Sequence, residues 1–163
     1  MIGKSVPRVD AYEKVTGRAK FTDDMILDKC LVAKVCHATI GNGIVKSIDT
    51  SEAEALDGVV KVVTFKDVPN HCYPTPGHPW SVELAHQDVA DRNLLTGRVR
   101  YYGDDIAAVV AEDEVTASRA LKLIKVEYEE YPVVLSPRLS MRGSEHPIHL
   151  DKKDNILARS SFA

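Results

Sequence analysis

The chain has 163 residues and a hydrophobic content of 44%, enough for one globular domain with a core of its own. Its 21 basic and 24 acidic side chains are interleaved and give a formal net charge of −3, so no basic patch points to a nucleic-acid partner. Neither a bilayer-spanning apolar run nor a secretory signal is present, which predicts a cytoplasmic protein without a membrane partner.

The first part of the chain predicts an arm. Residues 1–24 are largely polar, contain Pro7 and Gly17, and show little hydrophobic periodicity. Because a segment of this kind lacks the apolar face of a stable helix or strand, we expect it to lie over the surface of a folded domain.

Strand and turn patterns begin at residue 31. Alternating side chains over 31–36 predict a strand, and Gly41-Asn42-Gly43 predicts a turn after it. The apolar residues of 44–48 then predict a return strand, as in a hairpin.

A short helix and another strand come next. Ser51 and Glu54 have the spacing of a capping box, and Gly58 stands where such a helix would end. Residues 59–65 are β-branched and apolar, which predicts a strand. This alternation of helix and strand patterns predicts a mixed sheet with helices packed against it.

The periodicity disappears between residues 67 and 93, where prolines are frequent. Irregular segments of this length are uncommon in a compact domain and are often functional. The segment contains the only tryptophan, Trp80. A lone tryptophan on a loop either anchors it in a core or forms part of a binding wall, and the residues alone leave both open.

The stretch from residue 100 to residue 132 predicts a strand, a helix and a second strand. Residues 106–111 form a nearly continuous apolar run, as expected for a strand buried on both faces. Asp113 is placed to cap a helix, and Val126 and Tyr128 alternate with glutamates in a half-buried strand that Pro132 ends. The helix has apolar residues at helical spacing: Val115, Ala117, Ala120, Leu121 and Ile124.

Side chains with metal-binding or catalytic potential are present but poorly arranged for either role. Cys36-His37 and His71-Cys72 contain typical zinc ligands, yet neighbours on a strand point to opposite faces, so we expect no metal site and three reduced thiols. No nucleophile elbow, phosphate loop, dinucleotide fingerprint or zinc-protease motif occurs, so no catalytic or cofactor-binding residue is predicted. The residues alone indicate a soluble domain of mixed α and β structure.

Several blocks, taken in order, resemble the xanthine dehydrogenase and aldehyde oxidase family of molybdenum hydroxylases. They are Arg8-Val9-Asp10-Ala11, Lys14-Val15-Thr16-Gly17, Val45-Lys46-Ser47-Ile48-Asp49, Asp67-Val68-Pro69 and the whole 100–132 stretch. The middle segment resembles bacterial xanthine dehydrogenases with separate subunits, although Tyr131 stands where leucine is commoner. The resemblance implies an α+β fold, an α/β-hammerhead-like mixed sheet with two main helices.

The resemblance also implies a division of the chain. Residues 1–24 would be the N-terminal arm, 25–137 the hammerhead domain with a long irregular loop at 68–95, and 138–163 a linker toward a molybdopterin-binding domain. The family's glycine-rich pterin motif and its Gly-Glu-Pro context do not occur in this sequence. We therefore expect an inactive N-terminal part of a longer subunit, without a cofactor or metal of its own.

The reaction implied for the complete protein is hydroxylation of xanthine or hypoxanthine in purine metabolism. Electrons would leave molybdenum–molybdopterin through iron–sulfur clusters and FAD on partner subunits and reach NAD. This chain would be scaffold, with Val68, Pro69, His78 and Trp80 on the wall of the substrate channel. The alternatives are the same domain from a hydroxylase of aldehydes or N-heterocycles, or a free-standing, non-catalytic interaction module.

Overall fold

Two units make up the chain in the computed structural model, residues 1–30 and residues 31–163. The structure describes residues 2–25, 29–74 and 90–156. The second of these units, called the main unit below, contains every sheet of the described residues.

The unit of residues 1–30 contains one short helix, α1 (Ala11–Val15), and a 3₁₀ turn (Thr22–Asp24). Neither element buries a residue. Asp10 precedes α1 and forms ion pairs with Arg8 at 2.9 Å and Lys14 at 2.7 Å. Local polar contacts of this kind, rather than a core, organise the described part of the unit.

The described residues of the main unit form antiparallel sheets and three short helices, which confirms the α+β class. The sheets have the strand orders β1-β7-β3, β6-β2-β8 and β4-β5, so the strands are divided between sheets rather than joined in one. The strands are β1 (Val32–His37), β2 (Gly43–Asp49), β3 (Val59–Thr64), β4 (Tyr73–Pro74), β5 (Ala90–Arg92), β6 (Arg98–Val99), β7 (Asp105–Ala111) and β8 (Lys125–Glu130). The helices are α2 (Ser51–Glu54), α3 (Glu114–Leu121) and α4 (Pro137–Ser140).

The predicted strand at 106–111 is β7, the central strand of the first sheet. One of its faces is buried, with Val109 in a core shared with Ala53 of α2 and Ala120 of α3. The expectation that both faces are buried is wrong at Ala108 and Val110, which lie on the other face and are only half-buried. A second core surrounds Ile106 at the start of the strand and contains Ala38, Ile40 and Val99.

Helix α3 confirms the predicted cap. The Asp113 carboxylate accepts hydrogen bonds from the Thr116 amide at 2.8 Å and hydroxyl at 3.0 Å. Ala117 and Ala120 are buried as predicted, whereas Val115 is 69% exposed. Two helical positions correspond to a rotation of about 200°, so Val115 lies away from the buried stripe.

The predicted hairpin between the first two strands is wrong. β1 pairs with β7, while β2 pairs with β6 and β8 in the second sheet. The linking turn is held instead by the two residues that follow β8: Asn42 donates to the Pro132 carbonyl at 2.7 Å, and the Tyr131 amide donates to the Asn42 carbonyl at 2.9 Å. Gly43 is required there, since a Cβ would overlap the carbonyl oxygen of Glu129.

The capping box predicted at α2 is not formed, because no side chain caps the start of the helix. Thr50, not Ser51, is the residue before the helix, and its hydroxyl donates to Glu54 at 2.8 Å. The Ser51 hydroxyl donates to Asp49 at 2.6 Å instead. The helix itself forms where the pattern predicts it.

No helix within residues 2–25, 29–74 and 90–156 is both long and apolar enough to cross a membrane.

Candidate functional site

A cleft with a volume of about 470 Å³ lies between three segments of the main unit. Residues from 70–72, 90–100 and 148–152 line it. The charged residues of the lining are Asp91, Arg98, Arg100, Asp151 and Lys152. Because ligand sites are concave and combine apolar walls with a few convergent polar groups, this cleft is the candidate site.

The two arginines reach the cleft because of the alternation around β6. Val99 lies between them and is fully buried in the core that contains Ile106. Side chains two residues apart in an extended chain share a side, so Arg98 and Arg100 both face away from that core. Thr96 fixes the approach to the strand, since its hydroxyl oxygen accepts from the Arg98 amide at 3.0 Å.

Arg98 joins three parts of the backbone. Its guanidinium donates to the carbonyls of Gly43 at 2.9 Å, of Pro147 at 2.8 Å and of Val99. Burial lowers the pKa of the Arg98 guanidinium, because the charged form loses hydration. Carbonyl dipoles offset part of that loss, and the result is a clamp between β2, β6 and the segment that contains Pro147.

Aromatic contacts extend this clamp. The guanidinium carbon of Arg98 lies 5.5 Å from the centre of the Tyr131 ring. The same ring stacks on His146, with centroids 3.9 Å apart and planes 9° from parallel. Asn155 adds a polar contact by accepting from the Ile148 amide at 2.7 Å. Tyr131 therefore links Arg98 to the segment that contains His146.

Arg100 belongs to a second group of charges. Its Nη1 donates to the Asp91 carbonyl at 2.6 Å and lies 3.5 Å from His149 Nδ1. Burial lowers the pKa of His149, and the Arg100 cation acts in the same direction. Both effects favour the neutral imidazole, whose Nε2 lies 3.7 Å from the Asp91 carboxylate.

Asp104, the residue directly before β7, also contacts this group. It is 4% exposed, and its carboxylate accepts from the backbone amides of Arg100 at 3.0 Å and Asp105 at 3.2 Å. The Arg100 Nε lies 3.8 Å from the same carboxylate. A turn precedes β7, and Gly103 in it has the positive φ of +92° that glycine adopts at little cost.

Arg98, Arg100, Asp91 and His149 thus contact one another or backbone carbonyls, while the Arg98 Nε is buried without a hydrogen-bond partner. An arrangement of this kind is typical of a structural clamp rather than of an acid–base pair or an activated nucleophile. Among residues 2–25, 29–74 and 90–156, no group of three or more His, Cys, Asp or Glu side chains is placed to hold a metal ion.

Two of the predicted channel residues lie just outside the cleft. Val68 is half-buried and Pro69 is exposed, both in the turn after β3. Asp67 shapes that turn by accepting from the Thr64 amide at 2.8 Å and hydroxyl at 2.7 Å. Neither Val68 nor Pro69 lines the cleft, whereas Asn70 does. His78 and Trp80, the other two predicted channel residues, lie outside the described residues.

The Cys36-His37 pair lies on β1 and has the geometry expected of strand neighbours, whereas His71 and Cys72 lie outside any strand and are both exposed. Cys36 packs against the core around Ile106, and burial raises the pKa of its thiol. His37 is exposed and pairs with Asp105, Nδ1 to Oδ1 at 2.9 Å. The three cysteines, all among the described residues, are free thiols.

Sequence reasoning did not identify Asp91, Arg98, Arg100, Asp104 or His149 as one cluster. The Arg98-Val99-Arg100 alternation could have indicated part of the cluster, because it predicts that the two arginines share one side of the strand and the valine lies on the other. Their partners in 147–149 lie about 50 positions away in the sequence, at a separation of 49 residues for both Arg98–Pro147 and Arg100–His149. No local pattern indicates contacts of that range.

Comparisons with known proteins agree with the fold. Residues 16–132 match the sequence profile of the family described as aldehyde oxidase and xanthine dehydrogenase, a/b hammerhead domain. A xanthine dehydrogenase molybdenum-binding subunit from Escherichia coli O157:H7 is 41% identical over 96% of this chain and 20% of its own length. The large subunit of nicotine 6-hydroxylase from Paenarthrobacter nicotinovorans is 33% identical over 99% of this chain and 20% of its own length.

A solved structure supports the same family assignment. The aldehyde oxidoreductase from Desulfovibrio desulfuricans ATCC 27774 superposes with a TM-score of 0.76 at 32% identity, covering 93% of this chain and 17% of that one. The chain spans about a fifth of the length of the curated relatives that it matches. On the profile match over 16–132 and the identity to full-length relatives, the chain belongs to the aldehyde oxidase and xanthine dehydrogenase family and contains its a/b hammerhead domain.

Proposed function

We propose that this chain is the N-terminal scaffold of the molybdenum-binding subunit of a xanthine dehydrogenase-like hydroxylase. The observation that carries the proposal is the 41% identity to such a subunit over 96% of the chain. The complete protein would hydroxylate xanthine or hypoxanthine and pass electrons to NAD through iron–sulfur and FAD subunits. A cytoplasmic location goes with this proposal.

Within that protein the chain has a structural role and no catalytic residue. The support for this is the cleft, where Arg98 donates hydrogen bonds to three backbone carbonyls and Arg100 donates to the carbonyl of Asp91. The order of the cleft depends on long-range contacts that fix residues 146–155 against the second sheet. A rigid platform of this kind suits a domain that positions neighbouring ones.

The molybdenum cofactor, which supplies the hydroxylating chemistry when bound in this family, does not fit the described residues. A pterin phosphate needs accessible unpaired donors; the Arg98 Nη donors in the cleft already have carbonyl partners, and the Arg98 Nε, which has none, is buried out of contact with the cleft space. We therefore place the cofactor on parts of the subunit outside this chain. The division proposed is an arm at 1–24, the hammerhead domain at 25–137 with its loop at 68–95, and a linker at 138–163.

The substrate channel is proposed to run past Val68, Pro69, His78 and Trp80. The support is the position of the first two on a turn next to the cleft wall at Asn70, with Pro69 exposed. A proline-rich segment with imidazole and indole groups suits planar, nitrogen-containing rings through stacking and hydrogen bonding.

Steady-state kinetics of the complete protein with its partner subunits test this function. We expect turnover of hypoxanthine and xanthine, and Trp80→Ala is expected to raise KM about tenfold, equivalent to about 1.4 kcal/mol of lost binding, with little change in unfolding temperature. Tyr102→Ala is the control, since Tyr102 is a 73% exposed aromatic residue on another turn. A drop in thermal stability with KM unchanged would instead make Trp80 a core anchor.

An N-heterocycle hydroxylase is the second candidate, because the nicotine 6-hydroxylase large subunit matches 99% of the chain. The same assay separates the two. Turnover of nicotine-like rings without turnover of either purine would replace the first candidate by the second.

A further inference from the structure

The segment after α4 closes the cleft on one side. Residues 146–155, called the strap below, supply the lining residues 148–152 of the cleft. In the strap, all of which the structure describes, only Pro147 is buried, and Leu150 is 73% exposed. Because the strap removes little apolar surface from water, its polar and ring contacts decide whether it stays in place.

The start of the strap is held by Arg98 and Tyr131. The Arg98 guanidinium donates to the Pro147 carbonyl at 2.8 Å, and the Tyr131 ring stacks on His146 with centroids 3.9 Å apart. The middle of the strap is held by a further contact, at His149.

His149 lies between a cation and an anion. Its Nδ1 is 3.5 Å from Arg100 Nη1, its Nε2 is 3.7 Å from the Asp91 carboxylate, and its side chain is 16% exposed. Arg100 Nη1 is a donor, so the contact attracts only while Nδ1 accepts. A protonated imidazole carries a hydrogen on both nitrogens, which would place two donors and two cations against each other.

The surrounding charges leave little room for another cation. They come from several elements: Asp91 and Arg92 from β5, Arg98 from β6, Arg100 after it, Asp104 before β7, the Tyr101 hydroxyl to which Arg92 donates, and Asp151 and Lys152 of the strap itself. The last two pair with each other at 3.5 Å. The three arginines then outnumber Asp91 and Asp104, so a proton on His149 adds a cation where cations are already in excess.

The direction of the pH effect follows from the same surroundings. Burial lowers the pKa of His149, the Arg100 cation lowers it further, and the Asp91 carboxylate opposes the shift. Once released into water, the imidazole would have its ordinary pKa of about 6.5. A histidine whose pKa is lower in the folded state stabilises that state above its ordinary pKa, and this stabilisation is lost as the pH falls below it.

We propose that the strap is an acid-sensitive device: His149 holds it across the cleft while the imidazole is neutral, and protonation of His149 releases it. Release removes the wall formed by residues 148–152 and frees the Arg98 guanidinium from the Pro147 carbonyl. The cleft is then open on this side, with Arg98 and Arg100 facing water. This device does not depend on any enzymatic reaction.

Amide hydrogen exchange of the 163-residue chain, followed by NMR at about pH 7.5 and about pH 5.5 and corrected for the intrinsic pH dependence of exchange, tests the release. The reporters are the amides of Ile148, Lys152 and Asn155, whose acceptors all lie in the strap. We expect their protection to fall about three- to tenfold at the lower pH, since about tenfold is the limit one unit below the ordinary imidazole pKa. The amides of β7 should keep their protection.

Three variants assign the effect to one side chain. His149→Gln keeps a neutral, hydrogen-bonding side chain and should protect the strap equally at both pH values. His149→Lys places a permanent cation beside Arg100 and should expose the strap at both. His146→Gln is the matched control within the strap: it loses the stack on Tyr131, which lowers protection overall, but should keep the full pH dependence.

Strap protection that does not change with pH in the wild type would overturn the proposal. So would an undiminished pH dependence in His149→Gln, or full protection of His149→Lys at about pH 7.5. Loss of the pH dependence in His146→Gln would also overturn it and make His146 the sensor. If a variant fails to fold, NMR titration of His149 in the wild type decides: its midpoint should lie below that in a peptide of residues 146–155, and an equal or higher midpoint would refute the device.

Discussion

Ile106→Ala is expected to lower the free energy of unfolding of the 163-residue chain by about 3 to 4 kcal/mol. Ile106 is fully buried and packs in one core with Ala38, Ile40 and Val99. These four side chains come from β6, β7 and the turn after β1, so shortening Ile106 leaves a cavity that no single element can fill. Urea unfolding followed by circular dichroism measures the change.

The control for this prediction is Val115→Ala. Val115 is 69% exposed on α3, so its truncation removes little buried surface and should change the free energy of unfolding by less than about 0.5 kcal/mol. A loss below about 1 kcal/mol for Ile106→Ala would mean that the core around Ile106 is not closely packed.

Asp104→Ala should cost about 2 to 3 kcal/mol of unfolding free energy, because two backbone amides lose their acceptor at a site that is 4% exposed. The same carboxylate is the nearest anion on the Arg100 Nε, at 3.8 Å. Asp104→Asn keeps one acceptor oxygen and should fall between the wild type and Asp104→Ala.

The neighbouring Asp105→Ala is a matched control. The Asp105 side chain is 46% exposed and pairs with His37, itself 59% exposed, so the loss should stay below about 1 kcal/mol. If the two alanine variants were equally destabilised, the buried hydrogen bonds of Asp104 would contribute nothing beyond an ordinary surface carboxylate.

The elements that sequence reasoning located correctly are those decided by local patterns. The apolar run of β7, the Asp113 cap of α3 and the alternation of Val126 with Glu127 in β8 each depend on residues a few positions apart. A strand or capped helix carries its own evidence in such cases, so β7, α3 and β8 were all predicted.

The errors arose where a distant segment decides the outcome. The turn at Gly41-Asn42-Gly43 looks like a hairpin turn, but β2 pairs with β8, whose paired residues lie 76 (Asp49–Lys125) to 87 (Gly43–Glu130) positions further on in the chain. The Arg98–Pro147 hydrogen bond likewise joins residues 49 positions apart. No composition or spacing near Arg98 identifies a backbone carbonyl as its partner.

The candidate site, too, could be predicted only in part from the sequence. Val68 and Pro69 were singled out through a resemblance to a family, and the structure places them on a turn beside Asn70, at the edge of the cleft. The charged cluster of Arg100, Asp91 and His149 was not predicted as a cluster, because it forms only where the residues around β6 meet the segment after β8. Its polar groups are already paired, which is why we assign it to holding the fold.

Metal analysis together with the absorption spectrum of the purified 163-residue chain tests most directly the claim that this part of the subunit is scaffold. Cooperative urea unfolding of the same sample must first show that the chain is folded. We expect no stoichiometric metal, no visible absorption and no hydroxylation of hypoxanthine. Stoichiometric molybdenum or iron, or a visible chromophore, would contradict the claim and place redox chemistry within these residues.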